Sequence, residues 1–302
     1  MSAGAVDDRS LLRLMPALFV LIWSTGFVVA RFGMPHAPPM GFLAWRYALS
    51  VLVFLVWIAL ARAPWPRTRM QWAHLAVTGC LMHAGYLGGV WAAVRLGAGA
   101  GLVALVVGLQ PVLTALWMSS WGGQRIAPRQ WVGLALGLGG LLLVVWHKLG
   151  AGEVHAFSLS LAILALCSIT AGTLYQKRFV VACDVRTANT VQLMAALIVT
   201  LPLALWEQGS FDLHVELIGA MAWSVFVLTL GGSSLLYLLI QRGAATSVTS
   251  LMYLVPPSTA VMAWWLFDEA LTLAVLAGVL LTALGVWLVV RSGASALTAK
   301  ES

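Results

Sequence analysis

The sequence has very few charged residues. Charged side chains make up 9% of the 302 residues and hydrophobic ones 61%, whereas a soluble globular domain carries about 25% charged residues. A soluble chain of this composition would expose large apolar patches to water. The shortage of charge therefore excludes an ordinary soluble domain and indicates a protein whose surroundings are lipid.

Cysteine is also scarce. The chain has three cysteines, Cys80, Cys167 and Cys183, an odd number spread over distant segments. Neither a disulfide framework nor a cysteine-based zinc site fits that pattern. We interpret all three as small buried side chains, and the sequence predicts no metal site and no cofactor.

Two further motifs are missing. No phosphate-binding glycine-rich loop followed by Lys-Ser or Lys-Thr occurs, so the sequence does not support ATP hydrolysis. The net charge is +7, but the basic residues are dispersed among short loops without interleaved aromatic residues. A nucleic-acid partner is therefore not expected.

Long apolar segments dominate what is present. A membrane-spanning helix needs about 20 largely apolar residues, and ten segments meet this length, joined by short connections. They lie near 12–32, 41–61, 72–94, 98–119, 129–147, 156–176, 187–206, 217–240, 244–267 and 271–291. The sequence thus predicts an all-α polytopic membrane protein with ten transmembrane helices, and its principal partner is the lipid bilayer.

The basic residues indicate the orientation. Of the 17 Lys and Arg residues, thirteen fall on the side of the N-terminus, three fall on the opposite side, and Arg46 lies inside a span. Basic residues near the ends of spans accumulate on the cytoplasmic side. Both termini are therefore predicted to be cytoplasmic.

Two stretches of the chain share one plan. Residues 98–145 and 244–290 each contain an apolar segment with proline, a polar turn, and a second apolar segment with spaced glycines. The equivalent residues are Pro111 and Pro257, Gly133 and Gly278, and Gly140 and Gly285. The offset is 146 residues before the turn and 145 after it. We predict a duplication with units 1–150 and 151–302.

Each unit contains five predicted spans, and five is odd, so the second unit enters the membrane from the opposite side. Inverted repeats are a recurring plan of secondary transporters, which bind substrate near the midplane between the halves. A passive channel is an alternative. A membrane-embedded enzyme is a weaker one, since Ser233 or Ser234 with His83 is the single conceivable nucleophile–base pair, and we expect no enzymatic activity.

Several motifs resemble the EamA-type ten-helix transporters of the drug/metabolite transporter superfamily. They are Trp23-Ser24-Thr25-Gly26, Phe42-Leu43-Ala44-Trp45-Arg46-Tyr47, Leu109-Gln110-Pro111 and Val255-Pro256-Pro257, with the glycine pattern of the fifth and tenth spans. One departure is Gln124, which stands where the family often has a glutamate; Glu269 fits in the second half.

The resemblance implies export of amino acids or similar metabolites across a bacterial inner membrane by alternating access, with aromatic and apolar amino acids favoured. Other small solutes, such as cationic drugs or nucleotide-type metabolites, are the alternative substrates. All ten acidic residues lie in loops, tails or span ends. Proton coupling would therefore depend on His83 or tyrosines, and facilitated transport is an equal alternative.

Polar residues inside the spans are the candidate site, because lipid is a poor neighbour for them. Arg46 either binds a substrate carboxylate or has a structural or gating role, which we also assign to Pro256. His83 and Tyr86 share a helix face and either line the cavity or pack internally.

The prolines either bend the cavity wall or form static kinks. The candidate cavity residues are Trp23, Ser24, His83, Tyr86, Gln110, Pro111, Tyr175, Ser233, Tyr237, Ser250, Tyr253 and Pro257. We expect the cavity to be formed by spans 1, 3, 4, 6, 8 and 9. The glycine-rich fifth and tenth spans form a scaffold or a dimer surface, in a monomer or a homodimer.

Overall fold

The computed structural model describes residues 8–120, 128–150, 154–235 and 252–301, and these ranges are helical without a strand. In the first half, the α-helices are α1 (Asp8–Gly33), α2 (Pro39–Ala61), α3 (Arg69–Gly79), α4 (Tyr86–Arg95), α5 (Ala100–Val107), α6 (Gln110–Ser120) and α7 (Pro128–Gly150). In the second half they are α8 (Ala156–Phe179), α9 (Val185–Trp206), α10 (Val215–Ala222), α11 (Val255–Phe267) and α12 (Leu273–Glu301).

Eight helical segments in the described ranges are long and apolar enough to cross a membrane. They are Pro39–Ala61, Arg69–Arg95, Ala100–Trp117, Pro128–Gly150, Ala156–Phe179, Val185–Trp206, Val215–Ser233 and Leu273–Val290. The prediction of an all-α polytopic membrane protein is confirmed. The apolar part of α1, Leu18–Gly33, and helix α11 are shorter. They occupy the first and ninth predicted spans, so the count of ten stays a prediction.

The helix boundaries repeat along the chain. Helices α2 and α9 begin at Pro39 and Val185, and the next pair begins at Arg69 and Val215. Each pair is separated by 146 residues, the offset that the sequence repeat predicted. Equivalent helices thus start at equivalent positions, as expected for two copies of one helical unit.

Equivalent helices α2 and α9 pack side by side and run in opposite directions. At one end, the Glu207 carboxylate accepts hydrogen bonds from the backbone N–H groups of Met40 and Gly41, at 2.8 and 3.1 Å. At the other end, the Thr187 hydroxyl donates to the Pro64 carbonyl at 3.0 Å. The end of α9 therefore meets the beginning of α2, so these two equivalent helices are antiparallel.

Helices α7 and α12 form a second antiparallel pair of equivalent helices, and glycines allow their close contact. A Cβ atom added at Gly133 would lie 2.6 Å from the Gly285 carbonyl oxygen, and one at Gly140 would lie 2.5 Å from that of Gly278. Gly133 thus faces Gly285, the counterpart of Gly140. Gly140 faces Gly278, the counterpart of Gly133, as at a two-fold interface. Close packing by these glycines was predicted, but here the two helices cover each other's glycine faces.

Two equivalent segments have π-helical hydrogen bonding. Cys80–Gly85 joins α3 to α4, and Trp223–Ser233 follows α10. Segments of this kind are rare and occur frequently at functional sites, because they redirect side chains and backbone groups. A Cβ at Gly79, just before the first segment, would collide with the Gln192 backbone, so this segment lies directly against α9.

The prolines interrupt their helices at matching places. Val107 ends α5 and Gln110 begins α6, with Pro111 in its first turn. In the second half, a short 3₁₀ turn precedes α11, whose first turn contains Pro256 and Pro257. Proline is tolerated in a first turn because its missing N–H has no intrahelical partner there.

Candidate functional site

The described helices enclose a cavity of about 860 Å³ of empty space, counting its open mouth. It is lined by α1, α2 and the α3–α4 segment of the first half, and by α8, α9 and the segment after α10 of the second half. These are three equivalent pairs. Residues of α5, α6 and α11 are not among the lining residues. The predicted set of spans therefore differs from the observed one at one of its three pairs, because α2 and α9 take the places of the predicted spans 4 and 9.

Arg46 is the cation among the described lining residues. The side chain is 5% exposed. Its Nε and Nη2 atoms donate hydrogen bonds to the Thr229 hydroxyl, at 3.2 and 3.1 Å. That hydroxyl in turn donates to the Ser224 carbonyl at 2.8 Å. No carboxylate pairs with Arg46 in the part of the chain that the structure describes, so the guanidinium is positioned with its charge uncompensated there.

Aromatic rings form the walls beside this cation. The guanidinium carbon of Arg46 lies 6.0 Å from the centre of the Trp91 ring, the outer limit of a cation–π contact. Trp91 stacks on Phe42 at 4.3 Å, which fixes its plane. Trp23 and Tyr86 lie parallel, with centroids 6.4 Å apart and an angle of 4° between the rings. The cavity thus combines one cation with flat apolar surfaces.

His83 lies on the first π-helical segment. Its backbone carbonyl accepts a hydrogen bond from the Tyr47 hydroxyl at 2.9 Å, and the Tyr47 ring meets the imidazole edge to face at 6.1 Å. Gln192 of α9 is near enough to interact with the imidazole, and both line the cavity. Tyr47 therefore connects α2 to the segment that presents His83.

The offset of 146 residues relates these two polar pairs. It places Gln192 at the position equivalent to Arg46, and Thr229 at the position equivalent to His83. The contact of Arg46 with Thr229 thus has a counterpart in that of Gln192 with His83. The two polar pairs thus occupy equivalent positions, whereas the charged residue of the described lining, Arg46, belongs to the first half.

Five of the residues singled out from the sequence meet at this cavity: Trp23, Arg46, His83, Tyr86 and Ser233. They come from four separate segments. Among the described contacts, no hydrogen bond joins Ser233 to His83, so the described structure does not connect that pair as a nucleophile and base.

Three other candidates lie away from the cavity wall. The buried Ser24 hydroxyl donates to the Val20 carbonyl of its own helix at 2.8 Å. Gln110 donates to the Thr173 hydroxyl at 2.9 Å, joining α6 to α8. Tyr175 is hydrogen-bonded to His74 at 2.8 Å, joining α8 to α3.

The candidates near the proline turns serve packing in the described structure. Pro256 is buried and so close to Gly108 that a Cβ there would lie 2.5 Å from the proline ring. Pro111, Tyr253 and Pro257 are partly buried and are absent from the lining. Tyr237, Ser250 and Gln124 lie outside the described residues.

Several lining residues were missed from the sequence. Gln176 lies near the end of α8, and Asn189 and Gln192 lie in the first two turns of α9. The Asn189 amide nitrogen donates to the Val185 carbonyl at 2.8 Å. Polar residues so close to helix ends look like membrane-boundary residues. The repeat offset, which pairs Gln192 with Arg46, was the signal that could have identified Gln192.

The comparisons with known proteins agree with this architecture. The model of the EamA-like transporter family matches residues 13–146 and 156–291, and the chain belongs to this family, which is part of the drug/metabolite transporter superfamily. The two matches correspond to the two helical halves.

The chain resembles three proteins in particular over most of its length. It is 26% identical to "Uncharacterized transporter YvbV" of Bacillus subtilis over 91% of this chain and 90% of that protein. It is 24% identical to "Probable amino-acid metabolite efflux pump" of Salmonella typhimurium, over 90% and 92%. A solved structure described as "Crystal structure of protein" superimposes with a TM-score of 0.66 at 19% identity, covering 92% and 96%, and shows the same fold.

The family and the apolar helices together identify a multi-pass transporter of the inner membrane. A further relative, "Uncharacterized inner membrane transporter YedA" of Escherichia coli strain K12, is 27% identical over 62% of this chain and 60% of that protein. The names of these relatives indicate a transporter rather than an enzyme.

Proposed function

We propose that the protein is a secondary transporter that exports amino acids, with aromatic and apolar side chains favoured, by alternating access through this cavity. In the proposal, ten spans form an inverted repeat and both termini are cytoplasmic. The observation that carries the substrate class is Arg46, a buried cation without a carboxylate partner in the described structure, next to aromatic walls.

The geometry of Arg46 suits a substrate carboxylate. Thr229 occupies donors on Nε and Nη2, which fixes the plane of the guanidinium. A planar guanidinium with unused N–H groups pairs well with a carboxylate. A desolvated cation also gains more from an anionic ligand than an exposed one does. We therefore assign the carboxylate of the substrate to Arg46.

The ammonium group of an amino acid needs hydrogen-bond acceptors rather than a second cation. The second half supplies neutral amides, those of Gln192, Asn189 and Gln176. The Asn189 nitrogen is engaged with Val185, so its oxygen is the group left to accept from an ammonium. The proposed pose has the carboxylate toward the first half, the ammonium toward the second, and the side chain against Trp23 and Tyr86.

Cationic drugs are the less favoured alternative. The described lining contains no aspartate or glutamate to balance a second cation, and Arg46 repels one. Nucleotide-type metabolites would use the same guanidinium for phosphate. The two relatives that are named amino-acid metabolite efflux pumps support the amino-acid proposal.

The test is counterflow in proteoliposomes preloaded with unlabelled substrate. The panel contains aromatic and apolar amino acids, their methyl esters, nucleotide sugars and cationic drugs. We expect saturable uptake of the free amino acids and much weaker uptake of the esters, which lack the carboxylate. No uptake of any amino acid would reject the proposed substrate class.

Matched variants assign this preference to one side chain. Arg46→Gln should remove the preference for the acid over its ester, whereas Arg46→Lys should retain part of it because the charge remains. Arg69→Gln, at an exposed position, is the control for loss of a cation elsewhere. An unchanged preference in Arg46→Gln would contradict the assignment. Repeating the assay with a pH gradient tests coupling, since uptake that requires the gradient rejects facilitated transport.

A further inference from the structure

A second polar cluster lies at the end of the molecule where α9 ends and α2 begins. It consists of His36, from the connection between α1 and α2, and of Asp212, His214 and Glu216, which lie at or just before the start of α10. We call these four residues the His36 cluster. It brings together the two halves of the chain and shares no residue with the cavity.

One distance within the cluster is close to that between two ligands of one metal ion, and the others are longer. His36 Nε2 lies 3.1 Å from the Glu216 carboxylate, and His214 Nδ1 lies 4.0 Å from the same oxygen. Four ligands at 2.0–2.1 Å around a tetrahedral zinc are about 3.3 Å apart. One ligand atom from each of His36, His214 and Glu216 can be chosen so that all lie within 4.8 Å of one another.

The other nitrogen of His36 has the partner that a ligating histidine usually has. Nδ1 lies 3.0 Å from the Asp212 carboxylate. A carboxylate on the distal nitrogen fixes the ring orientation and its tautomer, and leaves Nε2 as the ligand atom. The backbone holds this arrangement, because the Asp212 N–H donates to the His36 carbonyl at 2.8 Å.

One adjustment is needed. The rings of His36 and His214 are stacked, 4.4 Å apart at 10°, so their nitrogen lone pairs run side by side instead of converging. The His214 Nδ1 atom accepts a hydrogen bond from the Glu216 backbone N–H at 3.3 Å, so ligation through Nδ1 would break this bond. The His214 side chain is 47% exposed, and its ring has to turn for a ligand atom to face the ion. Two of the three proposed ligands, His36 and Glu216, are therefore already adjacent, and His214 is the ligand that has to move.

We propose that the His36 cluster binds a divalent transition-metal ion of the zinc class through His36, His214 and Glu216, with Asp212 orienting His36. Imidazole and carboxylate are the ligand types of open zinc sites with two histidines and one glutamate. Hard cations such as Mg²⁺ prefer all-oxygen ligands and are not expected to bind. A bound ion links the connection before α2 to the one after α9.

The experiment uses full-length protein in detergent, purified through a tag without histidines and stripped with EDTA. Calorimetric titration with ZnCl₂ should show one site per chain, with a rise in the unfolding temperature that MgCl₂ does not reproduce. His214→Ala and Glu216→Gln should each weaken zinc binding at least ~10-fold, and Asp212→Asn about 10- to 100-fold, as partners that orient a ligand do.

Matched measurements separate a metal site from a simple ion-paired histidine. His214→Ala keeps both carboxylates on His36, so an ion-paired cluster without metal would respond to this variant only in its metal-free stability. His155→Ala, at another exposed histidine, should bind zinc as the unmodified protein does. Should His214→Ala not fold, Glu216→Gln carries the test. Absence of zinc binding, or unchanged affinity in the ligand variants, overturns the proposal.

Discussion

At the scale of single residues, the main feature is a buried cation that a hydroxyl positions. Arg46 bonds to Thr229 through two of its nitrogen atoms, and Thr229 is itself tied to the backbone of the π-helical segment that follows α10. A neutral partner of this kind fixes direction without cancelling charge. The guanidinium therefore remains available to an anionic ligand, which an internal salt bridge would prevent.

Replacing Thr229 tests this positioning role. Thr229→Val keeps the shape but removes the acceptor, and hydrogen bonds to charged groups contribute about 1.5–3 kcal/mol. We expect the KM for amino-acid counterflow to rise about tenfold or more, with a smaller acid-over-ester preference. Thr229→Ser retains the hydroxyl and should stay close to the unmodified protein. Equal losses in both variants would indicate packing rather than hydrogen bonding.

The sequence singles out polar side chains that lie well inside an apolar segment. His83 and Tyr86 were found in this way, and both line the cavity. Ser24 was indistinguishable from them, yet its hydroxyl bonds to its own helix. Hydropathy shows which residues enter the membrane, but the face they occupy depends on how neighbouring helices pack.

At the scale of helices, α7 and α12 are held together by glycines whose missing side chains allow backbone contact. Without a hydrophobic driving force between helices in lipid, such van der Waals contact is a principal source of association. Gly133 contacts Gly285 and Gly140 contacts Gly278, and the equal spacing of the glycines in the two helices allows both contacts to form at once.

Two glycine-to-alanine variants distinguish the loss of this contact from the effect of alanine on helix propensity. Gly140→Ala places a Cβ 2.5 Å from the Gly278 carbonyl oxygen and should destabilise the protein by about 1–3 kcal/mol, as overpacking does. Gly139→Ala is the control, because a Cβ there meets nothing within 4 Å, and it should be neutral or stabilising. Thermal unfolding in detergent measures both. A stable Gly140→Ala protein would contradict the contact.

The start of α9 provides a pH-dependent prediction. The Asp184 carboxylate accepts from the N–H and the guanidinium of Arg186, and these bonds, the side-chain one foremost, lower the pKa of Asp184 below its usual 3.8. A lowered pKa in the folded state stabilises the protein above pH 3.8, and this contribution is lost as the pH falls through the folded-state pKa.

Asp184→Ala should therefore cost about 1 kcal/mol near pH 6, the usual effect of losing an N-terminal cap. The difference from the unmodified protein should shrink below pH 3.8, where the carboxyl group becomes protonated. Unfolding temperatures measured across this range check the sign. A difference that stays constant with pH would mean that the carboxylate charge has no part in the cap.

At the scale of the whole molecule, the repeat and the helical segments could be predicted from features of the sequence itself. These features are the length of the apolar segments, the turn residues between them and the constant offset. The lining could not be predicted in full. The visible sequence similarity between the halves is confined to residues 98–145 and 244–290, and neither stretch contains Arg46 or Gln192. The pairs of helices that enclose the cavity depend on contacts between α2 and α9, which no local pattern encodes.

The proposed inverted repeat makes one prediction that compares the halves directly. By the offset of 146 residues, Arg67 before α3 is equivalent to Leu213 before α10. Both side chains are exposed. In a variant without native cysteines, Arg67→Cys and Leu213→Cys each provide one thiol at equivalent positions. With cytoplasmic termini, a membrane-impermeant maleimide added to intact cells should label Leu213→Cys, and should label Arg67→Cys only after the cells are opened. Labelling of both from the same side would exclude inversion, since equivalent residues of a parallel repeat face the same compartment.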